Sequence, residues 1–259
     1  MRPQVVAHRG ASFTNAEHTL GAYVEAIREG AQALECDVRL TADGHLVCVH
    51  DRDLRRTASM KALVSTMELA DLDQLEFASW KNPWATLDDE APDRDRDLDG
   101  VLTLRRLLET VAAEERRIEL AIETKHPTRY GGLVERRLVE LLADFGWAGA
   151  DSPVRVMSFS YVALQRVQRL APDLRLVMLI DKARHWPVLK PVLGPGWLLG
   201  PGIDALSRDP RFASKLVDSG RGIHVWTVNT HEQLSLCLDL GVEAVITDRP
   251  REVLGWLGG

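Results

Sequence analysis

His8–His50 reads HRGASFTNAEHTLGAYVEAIREGAQALECDVRLTADGHLVCVH, and the fold turns on this stretch. Three short apolar runs each stop at a polar group: Gln4–Ala7 at His8-Arg9-Gly10, Ala33-Leu34 at Glu35-Cys36-Asp37, and Leu46–Val49 at His50-Asp51. Such runs predict strands whose C-terminal ends carry chemistry. Between the first two, Thr19 can cap a helix with Leu20, Tyr23, Val24 and Ile27 on its apolar side, and Gly30 is placed to end it. Asp43-Gly44 suits the tight turn of a hairpin, leaving His50 near the end of its second arm.

Side chains two apart on a strand share a face and stand about 6.6 Å apart along it. Glu35 and Asp37 therefore point the same way, and a cation between them is the simplest means of keeping both ionised. Their neighbours, Ala33-Leu34 and Val38–Leu40, read as buried strand rather than as a solvated edge.

The chain has 259 residues, 45% of them hydrophobic and 27% charged, which suits one large α/β domain or two small ones. A net charge of −6 and the lack of a basic stripe argue against nucleic acid or an anionic membrane as partner. Cys36, Cys48 and Cys237 are odd in number, and two of them fall in expected strands, so they read as buried thiols in a reducing compartment. Neither a signal segment nor a run near the ~18 apolar residues of a spanning helix is visible. A cytoplasmic protein without stable membrane insertion is expected, its oligomeric state open.

From Asp51 to about Gly100 the strand–helix alternation lapses, and residues 51–100 read as an insertion containing Trp80, Trp84 and the acidic run LDDEAPDRDRDLDG from Leu87, expected as solvated surface. Regularity then returns. A helix capped by Thr103 is followed by strand 118–123, helix 131–145, strand 154–158, helix 161–171 and strand 174–180. The Pro- and Gly-rich segment 181–202 has no clear boundaries. After it come the apolar run Ile203–Leu206, a helix near 210–219, strand 223–228, a helix opened by the box-like Thr230–Gln233, and strand 243–247. Seven or eight such units fit a closed (β/α)8 TIM-type barrel spanning residues 1–259, with the insertion after the second unit. An open doubly wound sheet is the competitor. Polar strand ends spread along the whole chain favour the barrel, whose rim gathers them.

At that rim would lie His8, Arg9, Glu35, Asp37, His50, Glu123, Lys125 and Trp226. Three carboxylates without a cysteine make a hard oxygen site suited to one divalent cation, Mg²⁺, Ca²⁺ or Mn²⁺ rather than Zn²⁺. Glu35, Asp37 and Glu123, set against such an ion with Arg9 and Lys125, leave one positive charge for an anion such as a phosphodiester. Two histidines can act as acid and base near neutral pH. Trp226 is either core or an apolar wall for an alcohol group. His45, His126, His185, His224 and His231 have no motif partner and are taken as surface or core.

These residues resemble the glycerophosphodiester phosphodiesterase family over nearly the full length. The likeness rests on His8-Arg9-Gly10, Glu17 with Thr19, Leu34–Val38, Asp43-Gly44, His50-Asp51, Glu123 with Lys125, Val225–Asn229 and Ile246–Pro250, in the family's order. The resemblance implies a TIM-type barrel and a metal held by Glu35, Asp37 and Glu123. It also implies His8 and His50 as the acid/base pair and phosphate contact by Arg9, and it makes 51–100 the family's insertion. Where the family shows Pro-Glu-Asn-Thr, this chain has Ala16-Glu17-His18-Thr19; Glu17 can pair with Arg9 or join the metal. Expected is hydrolysis of a small glycerophosphodiester to sn-glycerol 3-phosphate and an alcohol. Two alternatives are a lysophospholipid or phosphoinositide head-group phosphodiesterase on the same site, and a non-catalytic phosphodiester binder.

Overall fold

The computed structural model describes residues 2–81, 84 and 95–258. The chain opens with β1 (Gln4–His8), α1 (Leu20–Arg28), β2 (Ala33–Leu40) and β3 (Leu46–Cys48). Short elements follow: β4 (Asp53–Leu54), α2 (Arg55–Ala58), β5 (Met60–Leu63), α3 (Leu69–Leu72) and α4 (Arg96–Asp99). Then come α5 (Leu104–Ala112), β6 (Glu119–Thr124), α6 (Leu133–Asp144), β7 (Val154–Ser158), α7 (Tyr161–Leu170), β8 (Arg175–Ile180), α8 (Trp186–Leu189) and β9 (Leu198–Pro201). The chain ends with α9 (Ile203–Arg208), α10 (Pro210–Val217), β10 (His224–Val225), α11 (His231–Asp239), β11 (Ala244–Thr247) and α12 (Pro250–Gly258).

The parallel strands run in the order β10-β11-β1-β2-β6-β7-β8-β9. Parallel bridges from Leu199 to Ile223 and from Gly202 to Trp226 carry the ring from β9 back to β10, so the sheet is a (β/α)8 barrel. β3 lies outside the ring, antiparallel to β2, as the arm of a hairpin turned at Gly44 (φ +88°). The strand between β8 and α9 is Leu198–Pro201, inside the Pro- and Gly-rich segment, and the apolar run Ile203–Leu206 is the start of a helix.

Alternation along the strands divides the core. Val6, Ala33, Ala121, Met157, Val177, Leu179, Ala244 and Ile246 fill the barrel, while the opposite faces pack against the helices. The helix starts follow their capping residues: Thr19, Thr103 and Ser160 each accept a backbone N–H, and Thr230 with Gln233 forms a full capping box. At the barrel's N-terminal end, Glu119 Oε2 accepts from Gln4 (3.1 Å), Arg155 (2.9 Å) and Arg175 (3.0 Å), tying β1, β6, β7 and β8 together.

The β4–β5 hairpin stands apart from the ring. Leu54, Val64, Leu72 and Phe77 form a small core there against Val47 and Val49. Most of the acidic run, residues 87–94, lies outside the described residues; its remainder carries α4, and Trp84 is exposed. Cys36, Cys48 and Cys237 are buried and unpaired. No helix among the described residues is long and apolar enough to cross a membrane.

Candidate active site

Register builds the centre. His8 pairs with Glu35 across β1 and β2, and Asp37 pairs with Glu123 across β2 and β6, so residues far apart in sequence stand side by side at the strands' C-terminal ends. Glu35, Asp37 and Glu123 are all buried, each offering an oxygen within 4.8 Å of the others'. Lys125 Nζ lies 2.8 Å from Glu123 Oε1 and 3.2 Å from Asp37 Oδ1. Arg9 approaches from the other side, with Nε 3.1 Å from Asp37 Oδ2 and its backbone N–H donating to Glu35 Oε2 at 3.1 Å.

The β1–α1 turn that aims Arg9 is tight. Arg9 itself has φ +58°, and a side chain on Gly10 (φ +85°) would meet the Ala22 backbone at 2.6 Å. Glycine is therefore needed at position 10 for the loop to lie against α1.

Charge in this pocket is held unevenly. Burial pushes Glu35 well above the usual carboxylate range, with Asp37 and Glu123 adding repulsion, and burial with the Asp37 charge lifts Glu123 to about 8. Burial acts on Asp37 too, yet His18, Arg9 and Lys125 hold it well below the ordinary value. Arg9 and Lys125, although buried, are both raised because Asp37 and its companion carboxylates favour their charged forms. Protein cations alone thus leave part of the trio protonated. Three buried hard oxygen donors in this state fit a divalent cation, which would let all three ionise.

The two histidines are mounted alike. His8 Nδ1 lies 2.6 Å from Asp248 Oδ1, and His50 Nδ1 lies 2.7 Å from Asp51 Oδ1. Burial opposes the charge of Asp248, but contacts from His8, Asn229 and Ser12 hold its carboxyl at about 2. An ionised carboxylate only accepts, so the His8 proton sits on Nδ1 and Nε2 faces the site, 3.9 Å from Glu35 Oε2. Asp51 is held by His50 and Arg56 below its ordinary value against burial. His50 is itself lowered, chiefly by burial.

Glu17 does not join the trio. It accepts from Arg9 Nη1 at 3.0 Å and from both terminal nitrogens of Arg56 at 2.7 Å, and these partners bring it down to about 2 despite burial. Arg56 also donates Nε to Asp51 at 2.7 Å, so one guanidinium links Glu17 to the His50 mount. Trp226 donates Nε1 to the Gly200 carbonyl at 2.7 Å and packs edge-on to Phe159, with ring centroids 5.5 Å apart; it forms a half-buried aromatic wall.

His8, Arg9, Glu17, Glu35, Asp37, His50, Glu123 and Lys125 are thus brought together, with Trp226 at the rim. Asp51 and Asp248 both sit in the quoted motifs, but nothing in the sequence itself assigns them a role; the fold shows them behind the histidines. His18 lies 2.9 Å from Asp37 Oδ2 through Nε2 and 2.8 Å from Tyr23 Oη through Nδ1, while Tyr23 Oη lies 3.0 Å from the Glu35 carbonyl.

Known proteins resemble this chain over most of its length. The chain is 42% identical to the probable glycerophosphodiester phosphodiesterase 1 of Mycobacterium tuberculosis, over 98% of this chain and 92% of that protein. It is 29% identical to the glycerophosphodiester phosphodiesterase of Bacillus subtilis, over 95% and 83% of the two chains. Among solved structures, an Oleispira antarctica phosphodiesterase in complex with the product sn-glycerol-3-phosphate superposes with a TM-score of 0.84 at 26% identity, covering 99% of this chain and 97% of that one. The model of the glycerophosphoryl diester phosphodiesterase family matches residues 8–252, and the chain belongs to that family of enzymes.

Proposed function

We propose that this protein hydrolyses glycerophosphodiesters to sn-glycerol 3-phosphate and an alcohol, using His8 and His50 as the proton-transfer pair and Glu35, Asp37 and Glu123 as ligands of one divalent cation. The observation that carries this reading is the pair of carboxylate-mounted histidines, His8 on Asp248 and His50 on Asp51, set beside the buried acidic trio. Mg²⁺, Ca²⁺ or Mn²⁺ suits the oxygen donors and, when bound, would neutralise charge growing on the phosphorus oxygens.

The chain's own residues supply the rest. One histidine takes the proton of the attacking oxygen as the other delivers a proton to the leaving oxygen, so the P–O bond to the alcohol breaks without an alkoxide being released. Asp248 and Asp51 steady each ring through Nδ1 and favour its charged form during transfer. Arg9 and Lys125 bring positive charge to the rim for the phosphate, and Glu17 fixes the Arg9 guanidinium. Trp226 offers carbon surface to the C–H groups of glycerol. In this reading residues 1–259 are one barrel domain with 51–100 inserted in it, since among the described residues β4 and β5 pair only with each other.

The test is direct. Purified protein is expected to release glycerol 3-phosphate from glycerophosphocholine, to stop with a chelator and to recover with Mg²⁺ or Ca²⁺. His8→Ala and His50→Ala should each lose about 10²-fold or more in kcat. Full turnover in either variant would refute its role.

A further inference from the structure

On the outer side of the trio, a narrow cleft is lined by Arg39, Arg52, Lys125 and Arg129, with Ser65, Pro127 and Thr128 among its walls. No carboxylate lines it among the described residues. Arg39 follows Asp37 by two positions on β2, so its side chain leaves the same face as Glu35 and Asp37 one step nearer the rim. Its Nε and Nη2 both donate to the neutral His50 carbonyl, at 3.0 and 2.8 Å. Among the described residues Arg52 and Arg129 form no ion pair; Arg129 rests on the Tyr130 ring, its guanidinium carbon 5.6 Å from the centroid. Lys125 joins the cleft to the trio, since its Nζ touches Asp37 and Glu123.

The positive charge of Arg39, Arg52 and Arg129 is separate from the Arg9 and Lys125 charges that serve the phosphodiester. Arg9 and Lys125 are already matched to Glu17, Asp37 and Glu123, and Arg39 feels the charges of Asp37, Asp51 and Glu123 from outside the cleft, whereas among the described residues no acid lines the cleft beside Arg52 and Arg129. Planar guanidinium groups lining a cleft beside a phosphodiester site suit a second oxyanion, a phosphate or carboxylate, and repel a cationic head group. Glycerol carries no charge, so any such anion must belong to the other alcohol.

We propose that the Arg39–Arg52–Arg129 cleft selects glycerophosphodiesters whose alcohol arm bears a further negative charge. This specificity rests on the hydrolysis reading above.

Glycerophosphoglycerol and the same compound phosphorylated at its far terminal hydroxyl form a pair that differs by that one anionic group, and the salt dependence separates its charge from its bulk. Loss of the phosphodiester ³¹P signal follows both substrates, with glycerophosphocholine as a third. The expected result is a kcat/KM about 10-fold higher for the phosphorylated arm at low salt. The ratio should shrink toward one in 0.5 M NaCl and in the Arg52→Gln/Arg129→Gln double variant, whose fold is checked by circular dichroism. Turnover of all three substrates with no preference for the charged arm, or a preference that the double variant keeps, overturns the specificity and leaves hydrolysis standing. No turnover of any of the three by the folded, metal-supplied protein overturns hydrolysis and the specificity with it.

Discussion

Asp248 Oδ1 stands 2.6 Å from His8 Nδ1, joining residues 240 positions apart because β11 and β1 are neighbours in the barrel. Ser12 donates to the same oxygen at 3.0 Å, and Asn229 donates to the other at 2.6 Å. A carboxylate so fixed sets both the tautomer and the tilt of the imidazole. Asp248→Asn keeps the shape but can offer the ring an N–H in place of a negative acceptor. The expected outcome is a kcat loss of about 10²-fold or more with KM little changed, measured by glycerol 3-phosphate release. Equal kcat values would show that Asp248 only packs.

His18 supports Asp37 from behind the trio. Burial lowers its pKa and favours the neutral ring, whose Nε2–H is then available to Asp37 Oδ2 at 2.9 Å. Removing a support of this kind typically weakens metal binding by about 10–100-fold. His18→Ala should therefore raise the midpoint of metal activation by about that factor. His18→Asn should restore part of it, because an amide can still donate and asparagine tolerates the φ of +62° found here. An unchanged midpoint in the alanine variant would rule the support out.

Three buried carboxylates that protein cations do not fully neutralise make the fold sensitive to metal, quite apart from turnover. A ligand bound only by the native state at 100 times its Kd adds about 2.7 kcal/mol. For a chain of this size that corresponds to a Tm rise of about 5 °C, measured by calorimetry with Mg²⁺ or Ca²⁺ against chelator. Glu123→Gln removes one ligand charge and should abolish most of the rise. A variant that keeps the full shift would place the ion elsewhere.

The barrel was legible because apolar runs ending in polar residues recur along the chain. Alternation then puts Glu35 and Asp37 on one face before any coordinates are known. Glu123 could be joined to them since its own strand ends in the same way. β9 was not legible: Leu198–Pro201 is short, lies among glycines and prolines, and uses Gly200 where a Cβ would lie 2.6 Å from Leu179 Cδ2. The mounts of the histidines were hidden for another reason. His8 and Asp248 meet only through closure of the ring, and the service of Arg56 to both Asp51 and Glu17 needs the position of α2, which no periodicity reveals. For His18 the departure from the family's asparagine was visible, but its contact with Tyr23 required the fold of α1 over β2.

At the barrel's other end, His224 offers a test that is independent of catalysis. It is buried on β10, its Nδ1 has no hydrogen-bond partner among the described residues, and its Nε2 lies 3.6 Å from Glu243 Oε2. Burial, reinforced by the nearby charges of Arg155 and Arg175 and only partly offset by Glu243, lowers its pKa from 6.5 to about 4. The unfolded chain therefore binds a proton near pH 6.5 that the folded one refuses until about pH 4, and stability falls as pH drops through that window. Between pH 7 and pH 5 this one residue should remove about 2 kcal/mol of unfolding free energy. His224→Gln cannot titrate, so urea unfolding at pH 5, 6 and 7 should show the gap between wild type and variant shifting by that amount, with wild type losing ground toward acid. Groups remote from His224 affect both proteins alike and cancel in the difference, and Glu243, whose carboxyl His224 lowers from an ordinary value of 4.5, titrates below this range. Parallel stability curves would mean that the folded state already accommodates a protonated His224.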